Sequence, residues 1–271
     1  MNPEATSYSF MADQEDILDT INRRTYASAK VVDWYDDLDF IHQPEAVILQ
    51  KLTPFIKDKK LLDIGIGGGR TTKFLLELSR DYTGIDYTPQ CVAVVKRKYP
   101  AANILCRDAR DLSMFDSESF DFVLFSFNSI DYVAHEDRVK VLSGILRVLH
   151  PGGFFVFSTH NRDYQQFNKL PWQEGLRFNA NFLKNCLYTL AYLPRHLSMK
   201  KHEIYTDEYA IINDNAHGFS LLAYYIGVGA QVGQLERAGF IDVEAYDWEG
   251  KQIDNDTVFP WTYYLAQKPL A

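Results

Sequence analysis

The sequence predicts an α/β fold built on a parallel sheet. Three observations support this fold class. Short apolar runs alternate with helical patterns between residues 57 and 160. A glycine cluster, Gly65, Gly67 and Gly69, follows the first apolar run and precedes a helical pattern. Asp86 is the last residue of the second apolar run, about 20 residues after the glycine cluster. Strands and helices that alternate at this spacing require right-handed crossovers and parallel strands.

The elements follow one another in a regular order. Segment 16–56 has a helical period, with Pro44 suited to a first turn and Pro54 to a helix end. Strands are predicted at KLLDIGI, DYTGID, ANILCRD, FDFVLFSFN and GFFVFSTHN, with helices between them at RTTKFLLELSR, PQCVAVVKRKY and EDRVKVLSGILRVL. After an aromatic-rich interruption, the helix GAQVGQLERAGF and the strands FIDVEAYDW and FPWTYYLAQK resume the pattern.

This order predicts one domain over residues 1–271. We expect an N-terminal helical lid at 16–56 and a ligand-binding core at 57–160 and 228–271. The interruption at 161–227 is expected to be a cap inserted between the fifth and sixth strands. A chain of this length is sufficient for one large domain with such an addition.

Composition narrows the class of protein. The formal net charge is −8, which disfavours a general nucleic-acid binder. The three cysteines, Cys91, Cys106 and Cys186, are far apart and indicate neither a disulfide framework nor a metal site. The N-terminus lacks the basic and apolar regions of a secretory signal, and no run approaches the ~18 apolar residues of a membrane span. We expect a cytoplasmic protein with no membrane partner.

The stretch LLDIGIGGGRTT places its glycines where a backbone approaches a nucleotide. In the dinucleotide fingerprint the third glycine would occupy position 70, which is Arg70 here. A Walker loop would end in Gly-Lys-Ser/Thr, whereas this loop ends in Gly-Arg-Thr. Both pyrophosphate-binding interpretations are therefore weakened. Arg70 is either a solvated residue of the first helical turn or a contact to a ligand carboxylate.

Three aspartates accompany the loop. Asp86, at the end of the second strand, is placed to accept hydrogen bonds from ribose hydroxyls. Asp108, after the third strand, is placed to recognise an adenine amino group. Asp63, two residues before Gly65, is expected to order the backbone amides of the loop. Asp86 alone does not distinguish a dinucleotide from S-adenosylmethionine.

At these residues the chain resembles a known family. LLDIGIGGGRTTKFL, YTGIDYTPQCV, CRDARDL, FDFVLFSFNSIDYV and LRVLHPGGFFVFSTHN occur in the order and spacing of the class I S-adenosylmethionine-dependent methyltransferases. The resemblance covers 45–160 and returns at QVGQLERAGF. It implies a Rossmann-like, mostly parallel seven-stranded sheet whose last strand is antiparallel. It also implies S-adenosylmethionine as cofactor and S-adenosylhomocysteine as product.

The resemblance also implies a set of cofactor contacts. Asp86 would hold the ribose hydroxyls, Asp108 and Ala109 would line the adenine, and the stretch after the fourth strand would lie beside the sulfonium. A tyrosine from the lid would close over the methionine end, with Tyr26 the first candidate and Tyr35 the second. The predicted cofactor-binding residues are Tyr26, Asp63, Gly65, Ile66, Gly67, Arg70, Asp86, Tyr87, Asp108, Ala109, Ser126, Phe127 and Asn128.

Methyl transfer from a sulfonium is an in-line displacement, so the protein mainly supplies alignment and desolvation. A general base is needed only where the acceptor has a proton to lose. Candidates lie at the carboxyl ends of strands, where open α/β sheets bind ligands. His160, after the fifth strand, is the first choice, and His217 and Tyr132 are second choices. Asp131 and His135 follow the fourth strand, and Asn161 follows His160.

The acceptor is expected to be a small molecule. Base-modifying relatives carry Asn/Asp-Pro-Pro-Tyr/Phe after the fourth strand, where this chain reads SFNSIDYV. An aromatic cap suits a concave, mostly apolar pocket. The alternatives are a methyltransferase acting on RNA or protein, a non-catalytic S-adenosylmethionine-binding module, an NAD-dependent oxidoreductase, and a propylamine transferase. The sequence leaves open O-, N- or C-methylation, and whether the protein is a monomer or a homodimer.

Overall fold

The computed structural model describes residues 17–173, 180–254 and 258–270. Asp16, the first residue of the predicted lid, lies outside these ranges. The helices of the described residues are α1 (17–26), α2 (Ala29–Asp36), α3 (Gln43–Ile56), α4 (Thr72–Leu78), α5 (Pro89–Lys98), α6 (His135–Val148), α7 (Ala180–Met199) and α8 (Val228–Ala238). Short 3₁₀ turns occur at Ser129–Tyr132, Pro171–Gln173 and Lys200–His202.

The strands of the same residues form one sheet. They are β1 (Leu61–Ile64), β2 (Tyr82–Asp86), β3 (Asn103–Cys106), β4 (Phe120–Phe125), β5 (Leu149–Asn161), β6 (Ile204–Tyr205), β7 (Tyr209–Ile212), β8 (Ala223–Ile226), β9 (Ile241–Tyr246), β10 (Gln252–Ile253) and β11 (Trp261–Gln267).

Seven of these strands form the central part of the sheet, in the order β3-β2-β1-β4-β5-β11-β9. The pairs from β3 to β5 are parallel, and β11 runs antiparallel to both β5 and β9. The expected Rossmann-like sheet with an antiparallel last strand is therefore confirmed. The strand count is larger than expected, because β10 pairs with β9 and β6–β8 form an additional branch.

The branch belongs to the segment predicted as a cap. β8 runs parallel to the end of β5, pairing His160 with Tyr225 and Asn161 with Ile226, while β7 and β6 follow by antiparallel pairing. Part of segment 161–227 thus continues the main sheet. The sequence did not predict these strands, because no helix lies between Ile204 and Ile226 and the alternation of strands and helices that marked the central strands is absent there.

The helical prediction for the N-terminal segment is correct in type but wrong at one boundary. Helix α3 begins with Pro44 in its first turn, as expected, but it continues through Pro54 to Ile56. Ile48, Leu52 and Ile56 are all buried on one face, so packing of Ile56 extends the helix beyond the proline.

The hydrophobic core lies on both faces of the central strands. One cluster includes Ile85, Phe125 and Phe157, and another includes Leu61, Phe122 and Val156. Burial on both faces explains the continuous apolar runs of β4 and β5. The carboxyl ends of β1, β2, β4 and β5 meet at one edge, where the polar residues of the predicted site follow them. No helix within the described ranges has both the length and the apolar character needed to cross a bilayer.

Candidate active site

The glycine loop connects β1 to α4 through left-handed backbone. Gly65, Gly67 and Gly69 have φ angles of 67°, 52° and 87°, a region that strongly favours glycine. The loop is held to the end of β2, since the backbone N–H of Gly65 donates to the carbonyl of Ile85 at 2.8 Å. A Cβ atom at Gly65 would lie 2.9 Å from the ring of Phe125. Glycine is therefore required here by both conformation and space.

Asp86 lies at the centre of this arrangement. Its Oδ2 accepts a hydrogen bond from the backbone N–H of Gly67 at 2.9 Å, and its Oδ1 accepts one from Thr88 at 2.7 Å. Burial raises the pKa of the carboxyl, and the two N–H donors act in the opposite direction. These bonds fix the carboxylate beside the glycine loop.

A cavity of about 740 Å³ opens beside Asp86, and we call it the first cavity. It brings together nine of the residues named from the sequence, namely Tyr26, Tyr35, Gly65, Gly67, Asp86, Tyr87, Asp108, Ala109 and Tyr132. The lid contributes Tyr26 from α1 and Tyr35 from α2, so both tyrosine candidates reach the same cavity.

Asp108 lines the first cavity but is held by two arginines. Arg110 donates to both of its carboxylate oxygens, at 3.1 and 2.8 Å, and Arg23 of α1 donates to Oδ2. Burial acts to raise the pKa of Asp108, but the arginines prevail and hold it at about 2. The side chain thus ties the lid to the end of β3. Its contact with an adenine amino group stays a prediction.

Arg70 is neither solvated nor free. Its guanidinium donates to both carboxylate oxygens of Glu45 at 2.7 and 2.6 Å, and to Ser126 Oγ at 3.0 Å. Arg70 is 6% exposed and Glu45 is fully buried, so the expectation of a solvated arginine is wrong. Arg70 lines a small recess with Asp63, Ile66, Ser126 and Phe127. Glu45 was not among the residues predicted from the sequence, although its place three residues after His42, the N-cap of α3, is that of the acid in a capping box.

Asp63 orders the loop by a different route from the one expected. Its Oδ2 accepts hydrogen bonds from the hydroxyls of Thr71 at 2.8 Å and Tyr82 at 3.0 Å, rather than from loop amides. Burial raises the pKa of this carboxyl to about 7, although both hydroxyls act to lower it. Asp63 therefore holds the end of the loop through side chains.

A second cavity, of about 1,290 Å³, adjoins the first. We call it the second cavity. Tyr35 and Tyr132 line both, so the two are neighbours across these tyrosines. About half of the residues that line the second cavity carry aromatic or imidazole rings, namely Trp34, Tyr35, Phe127, Tyr132, His160, Tyr164, Phe167, His196, His217, Phe219, Tyr225 and Trp261. Most of the others are polar, among them Gln166, Lys169, Asn213 and Asp214.

His160 lies in the second cavity and is held in place by Asp131. Asp131 Oδ2 lies 2.7 Å from His160 Nδ1 and accepts the backbone N–H of the same residue at 2.8 Å. The other carboxylate oxygen accepts Arg138 Nη1 at 2.7 Å and the hydroxyl of Thr159. The imidazole also stacks on Tyr225, with ring centroids 4.6 Å apart. This is the geometry of a histidine oriented by a carboxylate, and no hydrogen bond joins its Nε2 to another of the described residues.

Comparisons with known proteins agree with this architecture. Residues 62–157 match the sequence profile of a family described as a methyltransferase domain. The match covers about a third of the chain and falls within the residues that resemble class I S-adenosylmethionine-dependent methyltransferases. It supports that resemblance and, with it, S-adenosylmethionine as the cofactor of the family.

Two curated relatives share part of the methyltransferase domain. A probable S-adenosylmethionine-dependent methyltransferase of Mycolicibacterium smegmatis is 32% identical over 116 residues, covering 43% of this chain and 44% of that protein. A ubiquinone biosynthesis O-methyltransferase of Cereibacter sphaeroides is 34% identical over 112 residues, covering 40% and 44%. The chain thus spans about half the length of the curated relatives it matches.

A solved structure has the same fold over nearly the whole chain. It is the 1,6-didemethyltoxoflavin-N1-methyltransferase of Burkholderia thailandensis, determined with 1,6-didemethyltoxoflavin and S-adenosylhomocysteine bound. The TM-score is 0.54 at 14% sequence identity, covering 99% of this chain and 91% of the other. At this identity the likeness concerns the fold.

The other catalytic candidates of the methyltransferase domain are less suited to accept a proton. Tyr132 is buried between the cavities, and burial raises the pKa of its hydroxyl well above the ordinary value. It therefore stays protonated near neutral pH. His217 reaches the second cavity from segment 161–227, with burial lowering its pKa and Asp214 opposing that shift. His135 stacks on Tyr209 at 4.3 Å and lies among the residues of neither cavity.

Asn128 lines the second cavity, Ser126 lines the recess beside the glycine loop, and Phe127 lines both. The contact of these three residues with the sulfonium stays a prediction. Phe127 and Asn128 both have left-handed φ angles, 57° and 55°, a conformation that costs energy in a non-glycine residue. Neither amide atom of the buried Asn128 side chain has a hydrogen-bond partner among the described residues. An unpaired buried amide at a cavity wall is a candidate ligand contact.

Proposed function

We propose that this chain transfers a methyl group from S-adenosylmethionine to a small molecule bound in the second cavity. The observation that carries the proposal is the placement of His160. It lines a cavity adjoining that of the glycine loop, with Nδ1 held by Asp131 at 2.7 Å. A base in this position suits an acceptor that must lose a proton, and among hydroxyl, amine and carbon acceptors we favour a hydroxyl.

The residues of the first cavity fit the cofactor. The left-handed turn at Gly65 and Gly67 leaves the loop without side chains on its ligand side. Asp86 offers a buried carboxylate to the ribose hydroxyls, and Tyr87 and Ala109 offer walls to the adenine. When bound, S-adenosylmethionine supplies a methyl group on a cationic sulfur, from which a nucleophile takes it as the carbon–sulfur bond breaks.

The role of His160 follows from its hydrogen bonds. With Nδ1–H donating to Asp131, the neutral imidazole presents the lone pair of Nε2 to the cavity. Nε2 takes the hydroxyl proton of the acceptor and later releases it to solvent. Asp131 stabilises the imidazolium, while Arg138 and Thr159 keep that carboxylate oriented through its other oxygen. The acceptor oxygen carries the new bond to carbon.

The walls of the second cavity favour a planar acceptor. Trp34, Phe127, Tyr225 and Trp261 present rings on which an aromatic molecule can pack. The names of the C. sphaeroides relative and of the B. thailandensis structure both concern small-molecule methylation, and they support an acceptor of that kind. The expectation of a small-molecule partner is retained on these grounds.

The test is a turnover assay with the purified chain. Release of S-adenosylhomocysteine is measured across matched sets of phenols, aromatic amines and aliphatic alcohols. We expect turnover with members of the phenol set. Methylation of amines alone, undiminished in His160→Asn, would overturn the hydroxyl assignment, and failure to bind S-adenosylhomocysteine would overturn the methyltransferase activity itself.

A further inference from the structure

Helix α7 exposes leucines along its outer side. Leu183, Leu187, Leu190 and Leu197 are 59%, 60%, 54% and 60% exposed. Their spacing of three, four and seven residues places them on one line of the helix. The buried residues of this helix, Thr189 and His196, lie on the opposite side. We call this line the leucine face; a contiguous exposed apolar surface of this kind is typical of an interaction site.

The charge around the leucine face differs from that of the rest of the protein. Residues 180–202 contain no Asp or Glu, while the whole chain has a formal net charge of −8. The segment contains four cationic residues, Lys184, Arg195, Lys200 and Lys201, all of them exposed. A helix with an apolar face, a basic flank and no acidic residue is typical of helices that lie on a lipid surface.

We propose that the leucine face docks on an anionic lipid surface, with the leucines entering the outer acyl region and the lysines facing the headgroups. The expectation of no membrane partner rested on the lack of a membrane-spanning run. The contact proposed here is at the membrane surface and needs no such run, so the proposal revises that expectation.

A second copy of this chain fits the leucine face less well. Leucines at three- and four-residue spacing also suit a helix pair. Pairing two copies, however, would bring two cationic flanks together with no acidic residue of either helix between them. Anionic headgroups supply the missing charge, whereas a second α7 does not.

Docking there would also place the second cavity at the membrane. Thr189 and His196, on the inner side of α7, line that cavity. If the proposed function holds, the acceptor is a molecule that partitions into the membrane. The lipid contact itself does not depend on that assumption.

The test is cosedimentation of the full chain with vesicles, without substrate or cofactor. Vesicles of phosphatidylcholine alone are compared with vesicles that also contain phosphatidylglycerol. We expect binding to the anionic vesicles that weakens as salt rises. The variant Leu187→Glu/Leu190→Glu should lose at least about tenfold in binding, and Lys184→Glu/Lys201→Glu about tenfold. The matched control for the second variant is Lys59→Glu/Lys96→Glu, which changes exposed lysines elsewhere.

Each outcome decides the proposal. Selective loss in the two α7 variants, with the control unchanged and S-adenosylhomocysteine affinity retained, supports it. Absence of binding to anionic vesicles, or equal binding by all variants, overturns it. Dimerisation that Leu187→Glu/Leu190→Glu abolishes, without vesicle binding, would assign the face to a second copy instead. Vesicle binding by a chain that shows no turnover would leave this inference intact and count against the proposed function alone.

Discussion

The two cavities are neighbours across Tyr35 and Tyr132, yet they are built in different ways. The first cavity is formed mainly by three short stretches at the ends of β1, β2 and β3, together with the lid. The second draws on residues as distant in sequence as Trp34, His160 and Trp261. A site built from local turns can be recognised in the sequence, whereas a site built from long-range contacts cannot.

The largest expected effect falls in the second cavity. His160→Asn keeps a donor toward Asp131 but removes the basic nitrogen, so turnover should fall by about 10²- to 10⁴-fold. Affinity for S-adenosylhomocysteine, measured by calorimetry, should be unchanged. His150→Ala is the control, since His150 is exposed at the other end of the same strand. Unaltered turnover in His160→Asn would show that His160 is not the base and has only a structural role.

The next effect concerns the first cavity alone. Asp86→Ala removes two charge-assisted acceptors for the ribose hydroxyls and should weaken S-adenosylhomocysteine binding by about 100-fold. Calorimetry on Asp86→Ala and on the exposed control Asp116→Ala measures the difference. An unchanged affinity in Asp86→Ala would contradict the assignment of the first cavity to the cofactor.

This contrast explains what the sequence could predict. The central sheet, the glycine loop and Asp86 follow from apolar runs and turn residues that are adjacent in the chain. Glu45 as the partner of Arg70, and Asp131 as the partner of His160, are separated from them by 25 and 29 residues. Such pairs depend on how the elements pack. His160 could therefore be predicted from the sequence, but its hydrogen bond to Asp131 could not. The strands of segment 161–227 follow one another without the intervening helices that marked the central strands.

Asn128 allows a smaller test of the second cavity. Asn128→Asp and Asn128→Gly both tolerate the left-handed backbone, so the amide can be changed with little strain. Asn128→Gly should raise the KM for the acceptor about tenfold, the effect of losing one hydrogen bond of about 1.4 kcal/mol. Cofactor affinity should stay constant. A change in cofactor affinity instead would indicate that Asn128 contacts the cofactor and not the acceptor.

The last effect concerns stability and its dependence on pH, at the base of the glycine loop. The folded-state pKa of Asp63 is about 7, above its unfolded value of about 3.9. The folded state therefore binds this proton more tightly, and its contribution to stability is lost as pH rises from about 4 through 7. Asp63→Asn has no proton to lose at this position.

Thermal unfolding from pH 5 to pH 8 measures that loss. Relative to Asp63→Asn, the wild-type Tm should fall by about 5–10 °C across this range. Asp81→Asn, at an exposed neighbouring position, should follow the wild type. Parallel curves for wild type and Asp63→Asn would show that Asp63 is ionised in the folded protein throughout.

The central claim is that one cavity holds the cofactor and its neighbour holds the acceptor. An experimental structure with S-adenosylhomocysteine bound tests it most directly. We predict the ribose hydroxyls on Asp86, the adenine between Tyr87 and Ala109, and the sulfur between Tyr35 and Tyr132, facing His160 across the second cavity. A nucleoside bound elsewhere, or a sulfur turned away from the second cavity, would contradict the account.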